Sequence, residues 1–307
     1  MPVMSFLRKT FLILSENSWL HQFIMSHGFS KNMASRFIAG ETLQDAVQVI
    51  QMLNKKGMTA TFDHLGENVR TEEEALHASE IYFQILEKIQ ETKISSNVSL
   101  KMTEMGLDLN LELARLNLEK ILAKAAELNN FIRIDMESSN YTEKTLALFK
   151  QVYSSYKNVG VVIQAYLYRS EKDIDDLIQI QARVRLCKGA YSEPPDLAFP
   201  KKADVDRNYI KLIKKLLLKG NYPAFATHDP RMIEAVKKTA LENRITPDRF
   251  EFQMLYGIRR DLQEQLVQEG YNLRIYVPYG TMWYPYFMRR LAERPANLLF
   301  FLKNLAR

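Results

Sequence analysis

Two adjacent guanidiniums near the C-terminus, Arg289 and Arg290, stand about one helical turn after Tyr286 and one before Glu293. With residues 286–297 in a helix, Tyr286, Arg290, Glu293 and Asn297 fall on one stripe and Arg289 at its edge, because side chains three, four and seven apart share a face. That face is polar and aromatic. Two planar forks of donors suit a carboxylate held in bidentate fashion, and a tyrosine one turn earlier can cover the molecule to which it belongs. The same residues also fit a solvated basic face, on which an Arg289–Glu293 pair is worth only about 0.2–0.5 kcal/mol. Chemistry alone leaves both readings open.

A helix at that position is useful only if the rest of the chain builds a site beneath it. Eight short β-rich runs, at 58–62, 97–100, 131–134, 159–163, 183–186, 223–226, 250–253 and 273–277, alternate with longer amphipathic patterns. The helical patterns lie at 72–91, 111–128, 143–154, 204–218, 231–242 and 258–268. Parallel neighbours need crossovers of this length, and eight units predict a closed α/β barrel of the (β/α)8, TIM-like kind. An open doubly wound sheet is the rival, but no Gly-x-Gly-x-x-Gly turn follows any strand. Residues 15–39 read as one or two helices broken near Gly28 and Ser30, and Gly40-Glu41-Thr42 opens another through Leu53. The expected division is a helical extension over 1–57, serving as cap or association arm, and a barrel domain over 58–307.

Function in such barrels gathers at the C-terminal strand ends. Following the runs in order are Asp63 and His64, Lys101, Asp135, Gln164, Arg185 with Lys188, Thr227 with His228 and Asp229, Gln253, and Tyr279. Each has an ordinary reading too: Lys101 as a surface lysine, Asp63 as a cap, His228 as a core histidine. Asp135 is harder to dismiss, since a carboxylate leaving a strand at a barrel mouth needs a partner, and Lys101 one strand back is the expected one. Lys188-Gly189-Ala190-Tyr191 sets a cation beside bare backbone, an arrangement suited to phosphate oxygens.

Composition narrows the classes. At 47% hydrophobic and 25% charged residues, with no apolar run long enough to span a bilayer, the chain reads as soluble and globular. Its net charge of +6 is dispersed, and no nucleic-acid-binding signature accompanies it, so a weak attraction to a membrane surface is the better use. The apolar piece at 11–14 is followed by Glu16 without a small-residue cleavage site, unlike a secretory signal. A single Cys187 fits a reducing cytoplasm and reads as a small hydrophobe rather than a reactive thiol. The histidines, His21, His27, His64, His77 and His228, show no ligand spacing, so no metal is expected; nor is there a Gly-x-Ser-x-Gly elbow.

Phe37-Ile38-Ala39-Gly40-Glu41-Thr42, Lys188-Gly189-Ala190-Tyr191-Ser192-Glu193-Pro194, Asp206-Arg207-Asn208-Tyr209 and Arg289-Arg290-Leu291-Ala292-Glu293-Arg294-Pro295-Ala296-Asn297 together resemble the proline dehydrogenases, specifically the stand-alone bacterial form. The resemblance implies a distorted (β/α)8 barrel with its last helix over the mouth, and FAD as cofactor. The implied reaction is oxidation of L-proline to 1-pyrroline-5-carboxylate, the first step of proline catabolism to glutamate, by hydride transfer from proline C5 to flavin N5. By motif, Arg289 and Arg290, held by Glu293, match the pair that clamps the proline carboxylate, with Lys101 on its other side and Asp135 ordering Lys101. Tyr191, Leu255, Tyr279 and Tyr286 match the wall around the ring; Asp135, Arg185 and Tyr279 are the catalytic set. For FAD the matching positions are the Met136 backbone, Gln164, Arg185 near the reactive edge, Lys188, Gly189 and Ala190 at the phosphates, and Thr227 with His228. Implied partners are a respiratory quinone, met by peripheral association with the inner face of the cell membrane, and a separate 1-pyrroline-5-carboxylate dehydrogenase.

Some features depart from the pattern. Ser192 stands where bifunctional relatives carry an aromatic residue, Pro295 interrupts the last helix, and the chain lacks the length for an aldehyde dehydrogenase or DNA-binding segment. The rivals are another flavin-binding barrel, such as a folate reductase, and a non-enzymatic barrel that binds an acidic metabolite.

Overall fold

The computed structural model describes residues 36–66, 69–284 and 286. Eight parallel strands close on themselves in sequence order: β1 (Thr59–His64), β2 (Ser96–Leu100), β3 (Ile132–Ile134), β4 (Val159–Gln164), β5 (Arg183–Cys187), β6 (Ala224–Ala226), β7 (Glu251–Leu255) and β8 (Leu273–Tyr279). Closure is made by β8 on β1, in register from Thr59 opposite Arg274 to His64 opposite Tyr279. All eight expected runs are present. Several continue toward the mouth, because His64, Gln164 and Tyr279 still pair with neighbouring strands although they break the apolar pattern.

The helices are α1 (Leu43–Lys55), α2 (Glu72–Thr92), α3 (Leu111–Glu127), α4 (Ser139–Tyr153), α5 (Ser170–Gln179), α6 (Lys202–Lys219), α7 (Pro230–Glu242) and α8 (Arg260–Gln268). Several starts have a local cause. Thr42 and Asp45 form a reciprocal capping box on α1, Asn110 accepts from two backbone N–H groups of α3, and Asp229 caps α7 just ahead of Pro230. The sequence reading missed α5, whose buried apolar face consists of Ile174 and Leu177 alone, too thin for periodicity to reveal.

α1 packs on both β1 and β8 and so occupies the ring position between them. The backbone nearby ties both chain regions together: Ala39 N–H donates to Pro278 O at 2.8 Å and Gly280 N–H to Gly40 O at 3.0 Å. The remainder of the expected N-terminal helices, and the C-terminal helix with Arg289, Arg290, Glu293, Pro295 and Asn297, lie outside the described residues.

Two interiors result from strand alternation. Phe62, Leu100, Ile132, Ile134, Phe225, Phe252, Ile275 and Val277 are fully buried against the helices, forming the apolar core. Alternate positions carry polar groups instead: Thr61 and Asp63, Asn97 and Ser99, Arg133, Arg185, Glu251 and Gln253 are all buried. Buried polar side chains on this scale must satisfy one another, and they decide what the barrel can do.

Candidate active site

The centre of the mouth is an ion pair. Arg185 Nη1 donates to Asp135 Oδ1 at 2.7 Å, with the arginine side chain 6% exposed and the aspartate 15%. Two further donors fix the carboxylate: Ser99 Oγ to Oδ1 at 2.9 Å and Tyr276 Oη to Oδ2 at 2.6 Å. Arg185 also lies over the Tyr276 ring, 5.3 Å from its centroid, and gives a second bond to Ser99 Oγ at 3.2 Å. Its Nε and Nη2 are buried and find no acceptor among the described residues. The arrangement is an oriented guanidinium with two unused donors, the kind of preset positive charge that stabilises an anion or developing negative charge.

Lys101 does not join this pair. Its ammonium meets Asp63 Oδ1 at 3.3 Å, whereas the acceptors on Asp135 are taken by Ser99, Tyr276 and Arg185. The expected Lys101–Asp135 partnership is therefore corrected. Asp135 points into the barrel interior, where Arg185 of β5, Ser99 of β2 and Tyr276 of β8 converge on it, while Lys101 turns to Asp63 of β1. Burial raises the Asp63 pKa despite the Lys101 charge beside it.

Beneath Lys101 lies a second carboxyl. Glu104 is 2% exposed, accepts from Tyr82 Oη of α2 at 2.5 Å, and is pushed up to about 8 by burial, against the opposing influence of Lys101. It is thus protonated at neutral pH. Nearby His64 is held down to about 4 by burial and then by Lys101, so it is neutral, edge-on to Tyr279 at 5.4 Å. The Lys101 turn is pinned from the next strand by Glu137, which accepts from Thr103 N at 3.1 Å and Thr103 Oγ1 at 2.7 Å.

On the opposite side of the mouth, Gln164 Nε2 donates to Met136 O at 3.1 Å, and its buried Oε1 has no partner among the described residues. Lys188 reaches Asp206 and, at 2.9 Å, Asp229. Lys202 and Arg231 complete this cluster, and although burial opposes it, hydrogen bonds from these cations hold both aspartates below the usual carboxylate range. Gly189 has φ +104°, and a Cβ there would sit 2.2 Å from the Tyr166 ring. Tyr166 in turn donates to Glu193 at 3.1 Å, and Glu193 accepts from Ser139 N at 2.8 Å, capping α4 in place of Ser138, whose side chain does not. His228 Nε2 accepts from Leu255 N–H at 2.8 Å, and Thr227 Oγ1 from Asp229 N–H at 3.1 Å. The first bond ties the end of β7 to the turn after β6; the second shapes that turn itself.

Of the residues expected to form the site, Lys101, Asp135, Met136, Gln164, Lys188, Gly189, Thr227, His228, Leu255 and Tyr279 lie at or just beyond the C-terminal strand ends, and Arg185 lies within β5. Ala190 and Tyr191 follow on the exposed loop, and Tyr286 is buried just past β8. Burial pushes the Cys187 thiol up to about 12, which disfavours the thiolate that a nucleophile requires. Ser99, Tyr276 and Glu104 were missed. Ser99 and Tyr276 could have been found from alternation, because each lies two residues from another polar side chain on its strand: Ser99 from Asn97, Tyr276 from Arg274.

The model of the family described as Proline dehydrogenase matches residues 46–302. The chain belongs to the proline dehydrogenase family. Proline dehydrogenase 2 of Bacillus subtilis is 46% identical over 300 residues, spanning 98% of this chain and 99% of that one. Proline dehydrogenase of Deinococcus radiodurans is 41% identical over 303 residues and 97% of each. The bifunctional protein PutA of Escherichia coli is 30% identical over 87% of this chain but only 24% of its own length, so the stand-alone members are the ones matched throughout. Among solved structures, proline utilization A from Bdellovibrio bacteriovorus, inactivated by N-propargylglycine, aligns with a TM-score of 0.82 at 29% identity, over 93% of this chain and 36% of that one. That family barrel is the fold described above.

Proposed function

We propose that this chain oxidises L-proline to 1-pyrroline-5-carboxylate with FAD held at the barrel mouth. The observation that carries the reading is Arg185, fixed by Asp135, Ser99 and Tyr276 with two donors unclaimed, in a member of the proline dehydrogenase family. Those donors and the orphaned Gln164 Oε1 fit a flavin, whose ring carries both acceptors and a donor. Gly189, unable to accept a side chain beside Tyr166, fits a backbone that must approach a bulky group closely. Residues that would hold FAD are Met136, Gln164, Arg185, Lys188, Gly189, Ala190, Thr227 and His228.

When bound, the flavin supplies the hydride acceptor for C5 of proline. The protein's share is positioning. Arg289 and Arg290 would clamp the carboxylate with Lys101 opposite, and Tyr191, Leu255, Tyr279 and Tyr286 would enclose the ring and keep water out. Neutral His64 and protonated Glu104 add no charge beside Lys101, which leaves Asp63 as the carboxylate that already meets its ammonium. Arg185 and Asp135 would supply preset positive charge, and the imine product opens in water without help. Electrons would pass to a membrane quinone, and a separate dehydrogenase would take the product. Among the described residues no helix is long and apolar enough to cross a membrane, so contact with a quinone would be peripheral.

Anaerobic mixing of the purified protein with L-proline tests this directly: the flavin absorbance near the visible maximum should bleach. A yellow protein reduced by NADH but not by proline would point to a folate reductase-like barrel. A colourless protein that cannot be loaded with FAD would point to a binding protein.

A further inference from the structure

At the end of the barrel opposite the mouth, the N-terminal strand ends surround a cavity of about 180 Å³. Arg133 of β3, Arg183 at the start of β5 and Arg274 of β8 line it, facing a single carboxylate, Glu251 at the start of β7. Three guanidiniums against one carboxylate leave an excess of two positive charges.

Glu251 is already satisfied, taking Arg274 Nε at 2.9 Å and Gln253 Nε2. The other arginine bonds go to neutral groups. Arg274 Nη1 donates to Ala60 O at 2.7 Å and Asn97 Oδ1 at 3.3 Å; Arg133 Nη1 donates to Arg183 O at 2.7 Å and Val161 O at 3.3 Å. Arg133 is 3% exposed, and its Nε is buried without an acceptor among the described residues. Burial, then Arg185 and Arg274, work against its charge, and Glu251 and Asp135 offset them only in part. The fold nevertheless makes room for it: a Cβ at Gly160 would fall 2.5 Å from Arg133 Nη1, so β4 forgoes a side chain to admit the guanidinium. At the exposed rim, Arg183 is steadied over the rings of Phe131 at 5.4 Å and Tyr222 at 5.1 Å.

An excess of positive charge in a polar cavity much larger than a single water calls for a counter-ion. We propose that this basal cavity binds a small doubly charged oxyanion, a phosphate or a short dicarboxylate, held by Arg133 and Arg274 from within and by Arg183 at the rim. It lies at the other end of the strands from the proposed flavin and proline sites and shares no residue with them.

Isothermal titration calorimetry of the full chain with inorganic phosphate, and separately with malonate, tests the proposal at constant ionic strength, with excess FAD present to occupy anion-binding groups at the mouth. One saturable event per chain is expected, and Arg183→Gln, at an exposed position, should weaken it about tenfold. The same anion should raise the melting temperature of the wild type more than that of Arg183→Gln. Binding of phosphate alone would assign a phosphorylated ligand, and of malonate alone a carboxylate; either sustains the site. Absence of saturable heat with both anions, or affinity unchanged by Arg183→Gln, overturns it.

Discussion

Replacing Asp135 by alanine should be among the most damaging single changes in this barrel, for reasons that can be worked from its contacts. The Arg185–Asp135 separation of 2.7 Å corresponds to a gross attraction of about 6 kcal/mol at an effective dielectric constant of roughly 20. Removing one partner of a buried pair costs about 3–5 kcal/mol, since the other charge stays buried. For a chain of this length that is a fall in melting temperature of about 5–8 °C. The cost should also be asymmetric. Among the described residues, Arg185 without Asp135 keeps only Ser99 as acceptor, whereas Asp135 without Arg185 keeps both Ser99 and Tyr276 as donors. Arg185→Met should therefore be milder, and Arg185→Met on top of Asp135→Ala should recover part of the loss by removing the stranded charge. Thermal unfolding of the four proteins, with flavin content read from absorbance and turnover with L-proline, completes the cycle. Turnover should fall further than flavin content in Asp135→Ala. A melting temperature within a degree or two of wild type, or a double variant as unstable as the two losses added, would refute the pairing argument.

Glu104 gives a pH signature. Its carboxyl, ordinarily at 4.5, is pushed to about 8 in the fold, so between those values the folded chain holds a proton that the unfolded chain has released. The stability present below about 4.5 is lost as the pH rises to about 8, at up to about 1.4 kcal/mol per pH unit. Urea denaturation of wild type and Glu104→Gln from pH 5 to 9 should show the shallower slope in the variant; parallel slopes would dismiss the idea. Gly189→Ala should destabilise by at least about 1–3 kcal/mol through its left-handed backbone, with more from the contact with Tyr166, and should lower flavin content. An unchanged melting temperature in that variant contradicts the observed geometry. Arg289→Met and Arg290→Met should each raise the KM for proline at least about tenfold while FAD stays bound, and wild-type kinetics in both would end the clamp proposal.

The barrel could be read from the chain itself because its causes are local. Apolar runs of strand length separated by amphipathic stretches state their periods residue by residue, and Thr42, Asn110 and Asp229 mark helix starts by their own side chains. For the same reason the residues emerging at the strand ends could be named in advance, from Lys101 to Tyr279. What the sequence could not decide is which of them meet. Asp135 finds Arg185 and Tyr276, which are 50 and 141 residues away, while Lys101 turns to Asp63. Those pairings depend on strand register and layer, set by closure of β8 on β1, and no short window of sequence contains that closure. Closure also gives α1 its place in the ring, and only burial makes Glu104 a protonated acid and Arg133 a strained cation, because an ionisable group's state follows from what surrounds it in space.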